Sequence, residues 1–154
     1  MRDAKSANTT DVLALENDVC FHFAVASRRV IALYRPLLDP LHLTLPQYLV
    51  MVALWELEPL SVRQLSQRVQ LDPQTLSPLL RRLEALGYVV RQRDQHDKRN
   101  LNVGLSPKGC DLRQQALKIP PAVMDRLGMS ADQLETLNAM LTEVIRRAHR
   151  PEEG

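Results

Sequence analysis

DPQTLSPLLRRLEALGYVVRQRDQHDKRNLNVGL, residues 72 to 105, is the stretch on which the fold turns. Asp72 followed by Pro73 is a helix start: the Asp side chain can accept from first-turn amides, and Pro at the first helical position gives up only an N–H that has no helical partner. Leu76, Leu79, Leu80, Leu83 and Leu86 then share one face, and Gly87 suits the left-handed position just past a helix end. The opposite face carries Gln74, Pro78 and Arg81, flanked by Thr75, Ser77 and Arg82. After Gly87 the periodicity changes: Tyr88 to Arg93 and Leu101 to Leu105 read as two strands joined by the polar stretch Asp94 to Asn100. Upstream, Ser61 can cap a short helix through Val69. Two helices joined by a short turn therefore lead directly into a basic hairpin.

Outward from this stretch, Thr44-Leu45-Pro46-Gln47 offers a capping box, and a helix is expected from about Pro46 to Leu57. Before it, Leu15, Val19, Phe23, Ala26, Val30, Leu33 and Leu37 recur at nearly helical spacing, predicting one long helix from Asp11 to Leu38 that Pro40 ends. After the hairpin, Ser106-Pro107 opens a helix to about Lys118. Pro120-Pro121 should break it, and a short piece should end at Gly128. Ser130 and Gln133 form another capping box, opening a final helix whose Leu134, Leu137, Leu141, Val144 and Ile145 are expected to face inward. The fold class is mainly α with a small β-hairpin. A winged helix-turn-helix lobe over 45–106 stands between helical regions at 10–44 and 107–150, with flexible ends at 1–9 and 151–154. No internal repeat or low-complexity segment interrupts this order.

At 154 residues, 45% hydrophobic and 25% charged, the chain can bury one core or a small domain with a helical extension, and long disordered tracts are excluded. A net charge of +2 is too small to argue a polyanionic partner from totals. The distribution argues it instead: Arg81, Arg82, Arg91, Arg93, Lys98 and Arg99 stand against only Glu84, Asp94 and Asp97. No stretch has the apolar length of a signal peptide or a membrane span, so a cytoplasmic protein without membrane partner is expected. Cys20 and Cys110 are read as free thiols. His22, His42, His96 and His149 share no ligand spacing, and neither a phosphate loop nor a nucleophile elbow is present, so no metal, no cofactor and no enzymatic activity are expected.

A helix-turn-helix followed at once by a basic hairpin suits double-stranded DNA. The helix fills the major groove while the hairpin loop reaches phosphates or the adjacent minor groove. Gln74, Thr75, Ser77 and Arg81 would face base edges or nearby phosphates, and Arg91, Arg93, Lys98 and Arg99 would supply charge around the wing. A charge run is usually only a solvated face; the joint arrangement carries the assignment here, where a single Arg would not. Pro78 removes a helical hydrogen bond at a cost of about 3 kcal/mol and is read as a bend. Cys20, beside Phe21 and Phe23, has no activating neighbour in sequence, and a Cys in such a setting is commonly an inert small hydrophobe. Cys110, early in its helix, is read as packed or merely exposed.

Over nearly its whole length the chain resembles the multiple-antibiotic-resistance regulators (MarR). The resemblance rests on Leu65-Ser66-Gln67-Arg68, on Leu80 through Val89, on Arg91 to Arg99 with Asp94, Asp97 and Arg99, and on Leu105-Ser106-Pro107-Lys108-Gly109. It implies a homodimer built from the first and last helices, palindromic operators, and a wing in which Asp97 and Arg99 brace or contact DNA. Cys20, Tyr34 through Asp39, Pro46 through Val50 and Trp55-Glu56 look like the organic-hydroperoxide-sensing branch (OhrR). That branch implies that Cys20 is oxidised to a sulfenic acid, hydrogen-bonded by tyrosines from the partner subunit, and that the dimer then releases DNA. The branch usually reads Thr-Tyr-Pro-Gln where this chain has Leu45 at the second position, so only Tyr34 carries over as a thiolate partner. The segment Met124 to Gly128 lacks the resolving Cys some members have.

The competing reading replaces oxidation by a small aromatic or phenolic inducer in the cleft between dimer arms and DNA-binding lobes, which Leu45 makes more apolar. A thiol peroxidase would need a basic partner and a resolving thiol that the sequence around Cys20 does not supply. A winged helix that binds only proteins is disfavoured by the basic wing.

Overall fold

The computed structural model of the chain describes residues 13–149. The flexible ends expected at 1–9 and 151–154, and the helix start expected at Asp11, lie outside those residues. The described chain divides into two compact units, one reaching to Leu112 and one beginning at Arg113.

In the first unit the opening helix is shorter than its periodicity suggests. Leu15–Asn17 is a single 3-10 turn, and α1 runs only from Val19 to Leu38. Asp18 is the reason: its backbone is extended, and its carboxylate accepts from the amides of Cys20 at 2.7 Å and Phe21 at 3.2 Å, which fixes a helix start in the middle of the apolar repeat. Only Leu38 of α1 is buried, and Leu15, Val19 and Phe23 of the expected stripe are exposed. The chain then makes a 3-10 turn through Pro40 and enters α2, Leu45–Leu57. Both halves of the expected capping box form there: Gln47 N donates to Thr44 Oγ1 at 3.4 Å and Thr44 N to Gln47 Oε1 at 2.9 Å.

The lobe assembles around α2. Its Val50, Met51 and Leu54 are completely buried together with Leu65 of α3 (Val62–Val69), Leu76, Leu80 and Leu83 of α4 (Pro73–Ala85), and Val103. Each such side chain contributes about 1.5–3 kcal/mol of burial. Gly87 follows α4 with φ +79°, as its position after the last apolar residue predicts. The hairpin strands β2, Val89–Arg93, and β3, Leu101–Leu105, pair antiparallel with Arg91 opposite Val103 and Gln92 opposite Asn102. A third strand, β1, consists of Leu60 and Ser61 alone and pairs with Val103 and Asn102 on the other edge of β3. Two residues carry no periodicity, which is why a hairpin and not a three-stranded sheet is read from sequence.

The foot of the wing is pinned. Glu58 Oε2 accepts from Leu105 N at 2.6 Å, Tyr88 Oη donates to the Leu41 carbonyl at 3.0 Å, and the Trp55 indole N–H donates to the Gly109 carbonyl at 2.9 Å. Gly109, in α5 (Pro107–Ala116), is required by close approach: a Cβ there would stand 2.0 Å from the Tyr88 carbonyl oxygen.

In the second unit, α6 spans Ile119–Leu127 and α7 spans Ala131–Ala148. Pro120 and Pro121 do not lie between helices as expected; they occupy the first turn of α6, where the missing N–H groups have no helical acceptor to lose. Gly128 closes α6 at φ +62°, and the capping box of Ser130 and Gln133 opens α7. The expectation that the apolar stripe of α7 faces inward does not hold within one chain. No residue of α7 is buried, and Leu137, Val144 and Ile145 are exposed. No single helix among the described residues is long and apolar enough to cross a membrane.

Candidate nucleic-acid interface and thiol site

The entry to α4 is built by one carboxylate. Asp72 accepts from Thr75 N at 2.8 Å and from Thr75 Oγ1 at 2.8 Å. These bonds, the amide foremost, hold the Asp72 carboxyl below the usual carboxylate range. The Thr75 hydroxyl, expected to face DNA, is therefore turned back onto the cap. Gln74, Pro78, Arg81 and Arg82 are exposed on the side away from Leu76, Leu80 and Leu83, while Ser77 is half-buried and accepts from Arg81 Nη1 at 3.4 Å. The turn before α4 is set by Gln70 at φ 56°, and the Ser66 hydroxyl donates to the Leu71 carbonyl.

The four expected wing cations fall into two groups. Arg91 is drawn inward: its Nε lies 3.1 Å from Glu84 Oε2, and its side chain is 22% exposed, so it links β2 to the end of α4. Arg93, Lys98 and Arg99 stay on the outside, Arg93 Nη1 donating to the Lys98 carbonyl at 3.4 Å. Asp97 Oδ1 accepts from Arg99 N at 3.1 Å and lies 3.5 Å from Arg99 Nε, while the Arg99 side chain remains 93% exposed. Asp94 shapes the other side of the loop, accepting from His96 N at 2.8 Å, and this bond chiefly holds its carboxyl low. The loop thus presents Arg99 on a carboxylate-braced turn. The Glu84 contact was not legible in advance, because nothing in the sequence says that the end of α4 reaches β2.

Cys20 is exposed and is the second residue of α1. Tyr34 lies about 21 Å further along the same helix at roughly 1.5 Å per residue, so one chain does not bring the two side chains together. Tyr34 is half-buried against Tyr48, ring centroids 5.9 Å apart, and Tyr48 against Trp55 at 6.5 Å; burial raises the pKa of both tyrosines. Cys110 is exposed, its N–H donating to the Ser106 carbonyl at 2.9 Å. A cavity of about 410 Å³ opens where the end of α1 meets the start of α2, lined by Ile31, Leu38, Leu45, Leu49 and Leu71 with Arg35 and Asp39 as its charged groups. Among the described residues no cluster of three or more His, Cys, Asp or Glu could hold a metal.

The MarR family profile matches residues 43–101, from the start of α2 to the wing. The chain is 35% identical over 143 residues to the organic hydroperoxide resistance transcriptional regulator of Bacillus subtilis (strain 168), covering 93% of this chain and 97% of that protein. The chain belongs to the MarR family. Among solved MarR-family structures, AbfR of Staphylococcus epidermidis in its reduced form bound to DNA is 29% identical with TM-score 0.72, covering 88% of this chain and 95% of that one. AbfR has also been solved overoxidised on DNA. PcaV of Streptomyces coelicolor, in complex with its natural ligand, is 23% identical with TM-score 0.81 over 89% of this chain and 98% of that one, and shares the fold. The mainly α, winged-helix architecture read from sequence is that of the family. The molecule is a MarR-family transcriptional regulator, not an enzyme.

Proposed function

We propose that the chain is a homodimeric repressor that places α4 in the major groove and the β2–β3 loop on the adjacent backbone of a palindromic operator, and that leaves the operator when organic hydroperoxide oxidises Cys20. The observation that carries the reading is Cys20 itself, exposed at the start of α1 in a chain 35% identical to an organic hydroperoxide resistance regulator. The outward set of Gln74, Arg81, Arg93, Lys98 and Arg99 supports the DNA contact, with Asp97 as the brace of Arg99. In this reading Ser77 and Thr75 orient the helix entry, and Arg91 holds the wing.

The chemical step is two-electron oxidation. The Cys20 sulfur attacks the terminal oxygen of the hydroperoxide, the O–O bond breaks, the thiol proton ends on the departing alkoxide as alcohol, and sulfur becomes sulfenic acid. The new polar oxygen must find a partner or cost about 1–3 kcal/mol. Tyr34 of the partner subunit is the hydroxyl assigned to it. A shift of that size is comparable to the gap between two dimer packings, and a repacked dimer misplaces its two recognition helices relative to successive major grooves. Gel shift across a cumene hydroperoxide titration tests this. Cys20→Ser should bind like wild type and stay bound; dissociation of Cys20→Ser at the wild-type dose would remove the redox role.

A second reading is favoured by the cavity beside Leu45: a small aromatic or phenolic inducer would sit on its apolar wall with Arg35 or Asp39 meeting its polar substituent. Release of the Cys20→Ser protein by such a compound, without peroxide, supports this alternative.

A further inference from the structure

Pro78 is the residue of α4 that neither packing nor capping accounts for. A proline this far into a helix donates no amide to the carbonyl four residues back, here that of Gln74, and crowds it with ring carbons. Nothing in the core is gained in return, because the ring is exposed. The helix nevertheless continues unbroken from Pro73 to Ala85.

Its place on the helix is informative. Successive residues are about 100° apart, and Leu76, Leu80 and Leu83, all completely buried, mark the inner side. Pro78 then falls almost diametrically opposite, with Gln74 and Arg81 on one flank and Arg82 on the other. An apolar ring thus stands among Gln74, Arg81 and Arg82, with only Ala85, two turns on at the end of the helix, as a further exposed apolar side chain on this side. Thr75, the other small side chain near this face, has its hydroxyl bound to Asp72.

The major groove presents one apolar group among its hydrogen-bonding edges, the 5-methyl of thymine. We propose that Pro78 reads a thymine methyl, between the bases addressed by Gln74 and Arg81, and is a specificity-determining residue of the operator contact. The proposal rests on α4 being the helix that enters the groove. A proline ring suits the task because it has almost no side-chain freedom to lose on contact, so the gain from removing a methyl group from water is kept.

The test uses the full chain and deoxyuridine, which lacks only the methyl and pairs unchanged with adenine. A duplex is first enriched from a randomised library by the wild-type protein, and each thymine is then replaced singly by deoxyuridine. At one position per half-site wild type should bind about fourfold more weakly, the value of one buried carbon group. Pro78→Ser, which loses the contact in both subunits, should bind the thymine duplex as weakly as wild type binds a duplex with deoxyuridine at that position in both half-sites, and should not distinguish the two. Equal wild-type binding to every deoxyuridine duplex, or full retention of the discrimination by Pro78→Ser, would overturn the proposal while leaving α4 in the groove. Failure to enrich any sequence would overturn the groove reading and this proposal with it.

Discussion

Arg99 and Arg91 carry the same charge in the same hairpin, yet one side chain is 93% exposed on the loop and the other 22% exposed against Glu84. They should answer salt differently. Arg99→Ala is expected to lower the slope of log affinity against log salt by about 1, the signature of one lost phosphate contact. Arg91→Ala should weaken binding with the slope unchanged, because what it removes is the hold of β2 on α4; anisotropy titrations over a salt series compare them, and equal slope losses would make Arg91 a phosphate ligand. At Gln70 the strain is in the backbone, since a residue other than Gly at φ 56° crowds its own Cβ. Gln70→Gly should raise unfolding stability by about 0.5–1 kcal/mol in urea. Asp72 sets a pH dependence. Its folded pKa is depressed by Thr75, so its contribution is full above the ordinary carboxylate range and disappears as pH falls through the lowered value. Asp72→Asn should flatten the acid limb of the stability curve and leave the neutral region level.

Several element boundaries were legible from a local signal that stands clear of any longer repeat. Thr44 with Gln47, Asp72 with Pro73, Ser130 with Gln133, and Gly87 and Gly128 each act within one turn of chain, and each marks a boundary where the residues imply one. The start of α1 was not legible, because the Asp18 cap lies inside an apolar repeat that continues on both sides of it. The candidate interface divides in the same way: that Gln74 and Arg81 face outward follows from helical spacing, whereas the inward turn of Arg91 and the commitment of the Thr75 hydroxyl depend on neighbours that spacing does not reveal. The β2–α5 junction is a further contact between elements. Gly109 touches the Tyr88 carbonyl so closely that Gly109→Ala should cost about 1–3 kcal/mol or force the strand and helix apart. Thermal unfolding measures the loss, and an unchanged midpoint would mean that the junction gives way freely.

For the molecule as a whole the open apolar faces of α1 and α7 matter most. Leu137, Met140, Val144 and Ile145 on α7 are exposed, as are Val19 and Phe23 on α1, and exposed apolar stripes of this kind mark surfaces that bury themselves in association. If the chain forms the proposed homodimer through α7, ending it after Gly128 should leave a monomer in analytical ultracentrifugation and weaken operator binding with it; a stable dimer of the shortened chain would remove α7 from the proposed interface. The aromatic row of Tyr34, Tyr48 and Trp55 has a different consequence. The chain contains one tryptophan, so its indole emission has a single origin, and that indole is tied through its N–H to Gly109 beside the foot of the wing. The rings at 5.9 and 6.5 Å spacing are close enough for light absorbed by the tyrosines to leave as tryptophan fluorescence. The unlabelled protein therefore carries its own optical gauge: excitation transfer reports on the packing of Tyr34 and Tyr48 together, and the wavelength of emission reports on whether the indole still holds the Gly109 carbonyl, both readable in real time as peroxide or operator is added.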